Sequence, residues 1–327
     1  MVTVWQQLNG LVNDRLTPGV SAAVDDGARV TMAVFGEATW QPTVTPLRSG
    51  ALYDLASLTK VLGTTNVFLQ ALAAGRVGLD QPLREWLPAF TQPTTFRQAL
   101  THTSGLEGYI PHRDDLPPAA LRQALLTQLH VDAGECDCRV VYRDVNLLLV
   151  GWALEAVYHE SIQALITARV LRPLGLTQAT FTPAPARCVP TTYASGQLLQ
   201  GRVHDPKSAI LGAHSGAAGL FASLQDLIRF SHILMGVLTT PAWLKPAWLL
   251  ADFTRAKLGR SLGWDLRRDA AHRLWLYHTG YTGGFWLVQP TTRQALIVLT
   301  NRVHPKPQPE FLPRRDAIVA AWLRGQA

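Results

Sequence analysis

Ser57-Leu58-Thr59-Lys60 places a hydroxyl and an amine three residues apart. On a helix that spacing puts both side chains on one face, with about 5–6 Å between their Cβ atoms. The segment opens a stretch whose pattern predicts a helix from near Ser57 through Val67-Phe68-Leu69 to Ala74-Gly75, where glycine ends it. A lysine partly desolvated at the positive end of the helix dipole is expected to have a lowered pKa and to accept the serine proton. The pair alone is thin evidence: 11 serines and 5 lysines in 327 residues produce about 0.2 such pairs by chance. A serine that caps a helix and a lysine that faces solvent is the plainer alternative. No Gly-x-Ser-x-Gly elbow surrounds any serine, and no His-Glu-x-x-His, P-loop or full dinucleotide glycine fingerprint occurs.

Two further polar groups follow along the chain. Tyr142-Arg143-Asp144 precedes the apolar run Val145–Gly151, and His278-Thr279-Gly280 closes a strand-like segment just before a turn. With these three elements in this order, the chain resembles the serine β-lactamase and penicillin-binding-protein family, on its class C β-lactamase and esterase branch. Members carry Ser-x-x-Lys, then Tyr-x-Asn, then Lys-Thr-Gly or His-x-Gly. LTHTSGL (Leu100–Leu106), GRVGLDQPLREWLP (Gly75–Pro88), VHD (Val203–Asp205) and AAGLFAS (Ala217–Ser223) add to the likeness. It extends from about Gly19 to Arg302.

The resemblance implies acyl transfer through a serine ester to water. Ser57 would be acylated, Lys60 and Tyr142 would move its proton, and Tyr142 would then serve the leaving group and the deacylating water. The backbone N–H groups of Ser57 and Tyr281 would form the oxyanion hole. Asp144, His278, Thr279 and Gly280 would face substrate, with His278 and Thr279 along an edge strand. No metal or organic cofactor is implied, and the substrate would be a small ester, a β-lactam or a short peptide.

Two positions depart from the family pattern. Asp144 stands where most relatives have Asn; a carboxylate there should raise the Lys60 pKa and shift the base role to Tyr142. His278 replaces lysine and is mostly neutral at pH 7, so it offers no permanent charge to a substrate carboxylate. The chain therefore leans toward an esterase with weak β-lactamase activity. A class C-type β-lactamase or a D-amino-acid peptidase is the alternative within the class. An inactive relative that binds peptidoglycan fragments or peptides is the alternative outside it.

Other residues have plainer readings. Tyr142 can be read as a core aromatic and His278 as a strand surface histidine. His102 is expected to be a structural hydrogen-bonding residue. His130, Asp132, Cys136, Asp137 and Cys138 form a metal-like cluster whose spacing fits no common zinc pattern. Ser223 with Asp226 reads as a helix cap.

The elements that must position these groups follow from periodicity. Val4, Leu8, Leu11, Val12 and Leu16 predict a helix over 3–16, ended by Pro18-Gly19. Val20–Val24 and Val30–Phe35 flank Asp25-Asp26-Gly27 as a hairpin. Helical spacing dominates from about 76 to 204. Leu274–His278, Gly284–Val288 and Gln294–Thr300 then read as three strands, and a last helix is expected from about Arg314 to Arg324 after Pro313. The fold class is thus α/β (α+β) of the β-lactamase/transpeptidase type. One catalytic domain spans 1–327: an α/β lobe from about 1–75 and 205–327 around an antiparallel sheet, and a helical lobe over about 76–204.

Composition agrees. With 47% apolar and 16% charged residues the chain can bury a core, which excludes a disordered chain. No apolar run reaches about 18 residues, so no membrane span is expected; Val145–Val157 contains Glu155 and reads as a buried helix. Net charge is +7, with twelve basic and four acidic residues from Arg255 onward. These charges are dispersed, so nucleic acid is not expected as a partner. Three cysteines, Cys136, Cys138 and Cys188, argue against a disulfide framework. Residues 1–20 lack the basic start and apolar core of a secretory leader, so a cytoplasmic location is expected, or secretion if a leader has been removed.

Overall fold

Alternating apolar residues at the two ends of the chain build one sheet. In the computed structural model, which describes residues 3–326, β1 (Gly19–Asp25), β2 (Val30–Thr39) and β3 (Thr45–Pro46) come from the N-terminal part. From the C-terminal part come β4 (Asp265–Arg268), β5 (Leu274–Thr279), β6 (Phe285–Gln289) and β7 (Gln294–Thr300). The spatial order is β4-β5-β6-β7-β1-β2-β3, with every neighbouring pair antiparallel. β1 closes the two ends together, Val20 lying opposite Thr300 and Asp25 opposite Ala295.

Successive strand residues point to opposite faces, and both faces are covered. Phe285 and Leu287 pack with Leu8 and Leu11 of α1 (Val4–Asn13) and with Phe311 and Ile318 of the last helix. Trp286 and Val288 face the other way, against Leu227, Phe230 and Ile233 of a helix over Leu224–Leu234. That helix opens on a capping box between Ser223 and Asp226. The last helix begins at Phe311, three residues before the expected start. Phe311 is fully buried, and Pro313 falls within the first turn, where its missing N–H leaves no bond broken.

The middle of the chain is helical. α2 (Thr65–Ala73) continues a π-helical turn over Lys60–Thr64, and α3 (Asp144–Tyr158) is buried continuously from Asn146 to Glu155. Glu155 tolerates this place because Arg122 and His214 reach its carboxylate at 3.0 and 2.8 Å. Among the described residues no helix is long and apolar enough to cross a membrane.

Candidate active site

The chain reaches Ser57 from the two-residue strand Tyr53–Asp54, which pairs with Phe221–Ala222. Ala56 takes a left-handed backbone, φ 45°, held by its N–H donating to Asp54 Oδ1 at 2.8 Å. The helix begins immediately after Ser57, and the Lys60 N–H already bonds the Ser57 carbonyl at 3.1 Å. The turn is π-helical, and Asn66 Nδ2 donates to the carbonyls of Val61 and Leu62 at 2.9 Å each.

Lys60 is fully buried. Its Nζ donates to Ser57 Oγ at 2.7 Å, to Asp144 Oδ1 at 2.7 Å and to the Ala217 carbonyl at 2.9 Å. An ammonium has three donors and no acceptor, so all three are used. Burial works to lower the Lys60 pKa, but Asp144 and then Tyr142 outweigh it, and the net shift is upward. This overturns the depressed lysine expected from the helix start alone and agrees with the rise expected from a carboxylate at 144. It arises because Asp144, 84 positions away in sequence, lands on the amine.

Asp144 is likewise engaged on both oxygens. Lys207 Nζ lies 3.4 Å from Oδ2 and 3.0 Å from Asp205. Burial favours the protonated Asp144, but Lys60 and Lys207 override it and hold the carboxyl well below the usual range. Both carboxylate oxygens thus meet ammonium groups, while the side chain also lines the cavity that holds Ser57.

Tyr142 is half-exposed, 45%, just ahead of α3, so it is not a core aromatic. Its ring lies 4.4 Å from that of His102 and 6.0 Å from that of His278, centroid to centroid. Lys60 Nζ sits 5.3 Å from its centroid. His102, buried and at φ 57°, brackets Tyr142: its carbonyl accepts from Val141 N–H at 2.9 Å. Its Nδ1 accepts from Arg143 N–H at 3.3 Å. Burial, helped by the charges of Arg260 and Lys60, pushes its pKa well below the ordinary value.

β5 carries the third group but is not the edge strand. β4 lies outside it and stops opposite Tyr277, so only His278 and Thr279 lack a β4 partner. His278 is buried, edge-on to Trp264 at 6.4 Å. Its Nδ1 bonds the Thr279 carbonyl at 2.9 Å; a carbonyl only accepts, so Nδ1 carries the proton. Burial first, then Arg260 and Lys60, lowers its pKa well below the ordinary value. Arg260 is itself buried, with Nε and Nη2 unpartnered.

A cavity of about 660 Å³ opens on Ser57, Tyr142, Asp144, Thr279, Gly280 and Tyr281. His278 lines an adjoining cavity of about 440 Å³ with Arg260 and Arg267, and Tyr142, Thr279 and Arg315 line both. A larger depression of about 800 Å³ at Arg15, Trp40 and Arg314 holds none of the motif residues, so volume does not mark the site. Gly280 permits the close approach: a Cβ there would come 2.6 Å from the Leu55 carbonyl. Among the described residues, the N–H groups of Ser57 and Tyr281 donate to no protein acceptor.

The metal-like cluster is dispersed into local bonds: His130 with Glu107 and Asp137 with Gln98. Among the described residues no three His, Cys, Asp or Glu are placed to hold a metal ion. Sequence reasoning missed Lys207, Arg260 and Asp54. Lys207 carried one signal, as one of only five lysines, two residues after the VHD stretch.

A seven-stranded antiparallel sheet packed by helices on both faces, with a Ser-x-x-Lys turn facing a tyrosine loop and a strand end, defines the β-lactamase fold class. The chain belongs to the Beta-lactamase family, whose model matches residues 7–321, and it is a hydrolase of that family. A protein of Escherichia coli K12 that carries the name D-alanyl-D-alanine carboxypeptidase is 26% identical, over 81% of this chain and 72% of its own. The solved structure of EstCE1, a hydrolase with promiscuous acyltransferase activity, superposes with TM-score 0.75 at 18% identity, over 97% of each chain. A class C β-lactamase from Rhodobacter sphaeroides superposes with TM-score 0.77 at 17% identity, over 98% of this chain and 99% of its own.

Proposed function

We propose that this hydrolase works through an acyl-enzyme on Ser57 and prefers small esters, turning over β-lactams weakly. Ser57 Oγ attacks the carbonyl carbon while its proton passes to the Tyr142 oxygen, which acts as the phenolate and becomes the phenol. Lys60, with all three donors engaged, acts as a fixed cation that stabilises the phenolate and the negative charge developing on Oγ. The free N–H groups of Ser57 and Tyr281 receive the oxyanion. Tyr142 returns the proton to the leaving oxygen, then takes one from the water that cleaves the ester.

The observation that carries the ester preference is His278, buried beside Tyr142 and held neutral. No permanent charge stands where most of the resembling family has lysine. The rim of the same cavity favours a second reading, a D-amino-acid peptidase or β-lactamase, because Arg113, Lys207, Arg302 and Arg315 line it. These cations suit a substrate that bears a carboxylate.

The test is kcat/KM for a p-nitrophenyl ester, a chromogenic cephalosporin and a D-amino-acid anilide, with a fluorophosphonate label located by mass spectrometry. Ester preference with the label on Ser57 supports the first reading. Preference for the cephalosporin or anilide, lost in Arg315→Gln, supports the second. No labelling at all supports an inactive, peptide-binding relative.

A further inference from the structure

We propose that Asp54 is a positioning residue that sets the distance between the two amides of the oxyanion hole; this rests on the serine-hydrolase reading above. Three hydrogen bonds leave this one residue, each ending beside an element of that hole. Its Oδ1 accepts from the N–H of Ala56, the residue before Ser57, at 2.8 Å. Its main-chain carbonyl accepts from the hydroxyl of Thr282, the residue after Tyr281, at 2.8 Å. Its Oδ2 accepts from His204 N–H at 2.7 Å, and the His204 ring stacks on Tyr281 with centroids 5.5 Å apart. Ala56 is held in a left-handed backbone that a residue with a Cβ adopts only under constraint. The carboxylate supplies that constraint. Because both oxygens accept from backbone N–H groups, the ionised form suits the geometry and an amide does not: its NH2 would face one of the two donors.

The carboxyl is buried, and the groups facing it are Asp205 and His204 on one side and Cys188 on another. Burial raises its pKa to about 6, the two N–H bonds resist that rise and Asp205 adds to it. An unfolded aspartate titrates near about 3.9. The folded state therefore takes up a proton as pH falls through about 6, and the stability linked to that proton is fully present below about 3.9 and lost as pH rises through about 6. Fold stability and site geometry then respond in opposite directions over this range. Acid favours the fold and costs one N–H bond in the site.

The experiment compares the wild type with Asp54→Asn from about pH 5 to about pH 8, the window that brackets the folded value. It measures kcat and KM for a neutral p-nitrophenyl ester, the rate of fluorophosphonate labelling, and Tm. The wild type should lose kcat on the acid side with a midpoint near 6, and the variant should lack that limb. The variant's kcat near neutrality should be at least about tenfold lower with KM little changed. The Tm difference, wild type minus variant, should grow as pH falls, opposite to the activity difference. An acid limb unchanged in Asp54→Asn, or a kcat deficit matched by an equal loss of titratable sites, overturns the inference. If Asp54→Asn fails to fold, Thr282→Val carries the test, since it removes one tether and leaves the carboxyl intact. Its kcat should fall several-fold at unchanged KM, and full activity overturns the inference. Failure of the wild type to label at Ser57 would instead sink the serine-hydrolase reading itself, with this inference along with it.

Discussion

An amine whose three donors all end on protein oxygens has no lone pair to offer, so in the proposed mechanism Lys60 acts by its charge and Tyr142 moves the proton. Lys60 and Tyr142 then work as a unit. Lys60→Met and Tyr142→Phe should each lose several orders of magnitude in kcat/KM, and the double variant little more; multiplicative losses would show independent roles. Asp144 keeps the lysine charged. In Asp144→Asn burial becomes the dominant influence, the Lys60 pKa falls, and the alkaline limb of kcat/KM should move to lower pH. An unmoved limb would separate Asp144 from the charge on Lys60. The depressed Asp144 pKa also stabilises the fold above about pH 3.9, and that contribution fades as pH falls toward the folded value. Removing one partner of such a pair costs about 3–5 kcal/mol, which urea unfolding at neutral pH would read.

At the level of elements, the site depends on how closely the end of β5 meets the turn that carries Ser57. Gly280→Ala would drive a Cβ to within 2.6 Å of the Leu55 carbonyl, and the strand end must retreat. A displacement of that kind should slow Ser57 labelling by about 100-fold; a normal labelling rate would mean that the strand end does not set the reacting geometry. β5 also explains why lysine is unsuited to 278 here. The side chain is buried against Trp264 and feels the charge of Arg260. His278→Lys should lose about 3–5 kcal/mol of stability as an uncompensated buried cation. Adding Arg260→Met should recover at least half of that loss, since the two charges couple. Additive effects would place Arg260 too far away to matter.

Over the whole molecule, the net charge of +7 is concentrated after Arg255, the part of the chain that supplies Arg302 and Arg315 to the cavity rim. A field of one sign around a cleft steers ligands of the opposite sign and is screened by salt. Hydrolysis of an anionic aryl ester should therefore lose kcat/KM as salt rises from about 20 mM to about 500 mM, while a neutral ester changes little. Equal salt responses would mean that the rim cations are neutralised by their neighbours.

What the sequence determined by itself is local in its physics. Period-2 alternation placed β5, β6 and β7 within a residue of their observed bounds, and helical spacing with Ser57 at its start placed Lys60 on the same face of one turn. The order of Ser57, Tyr142 and His278 marked the family before any contact was visible. Only the tertiary structure decided what these groups can do. Asp144 was legible as an influence on Lys60, but the saturation of all three Lys60 donors depends on Ala217 as well, the deep burial of His278 on packing beside Arg260, and the reach of Asp54 on His204 and Thr282. β5 read as an edge strand because nothing in its own residues shows the short β4 folding back outside it. Hydrophobic period is written into neighbouring residues, whereas protonation and hydrogen-bond partners are set by desolvation and by charges brought together from distant parts of the chain.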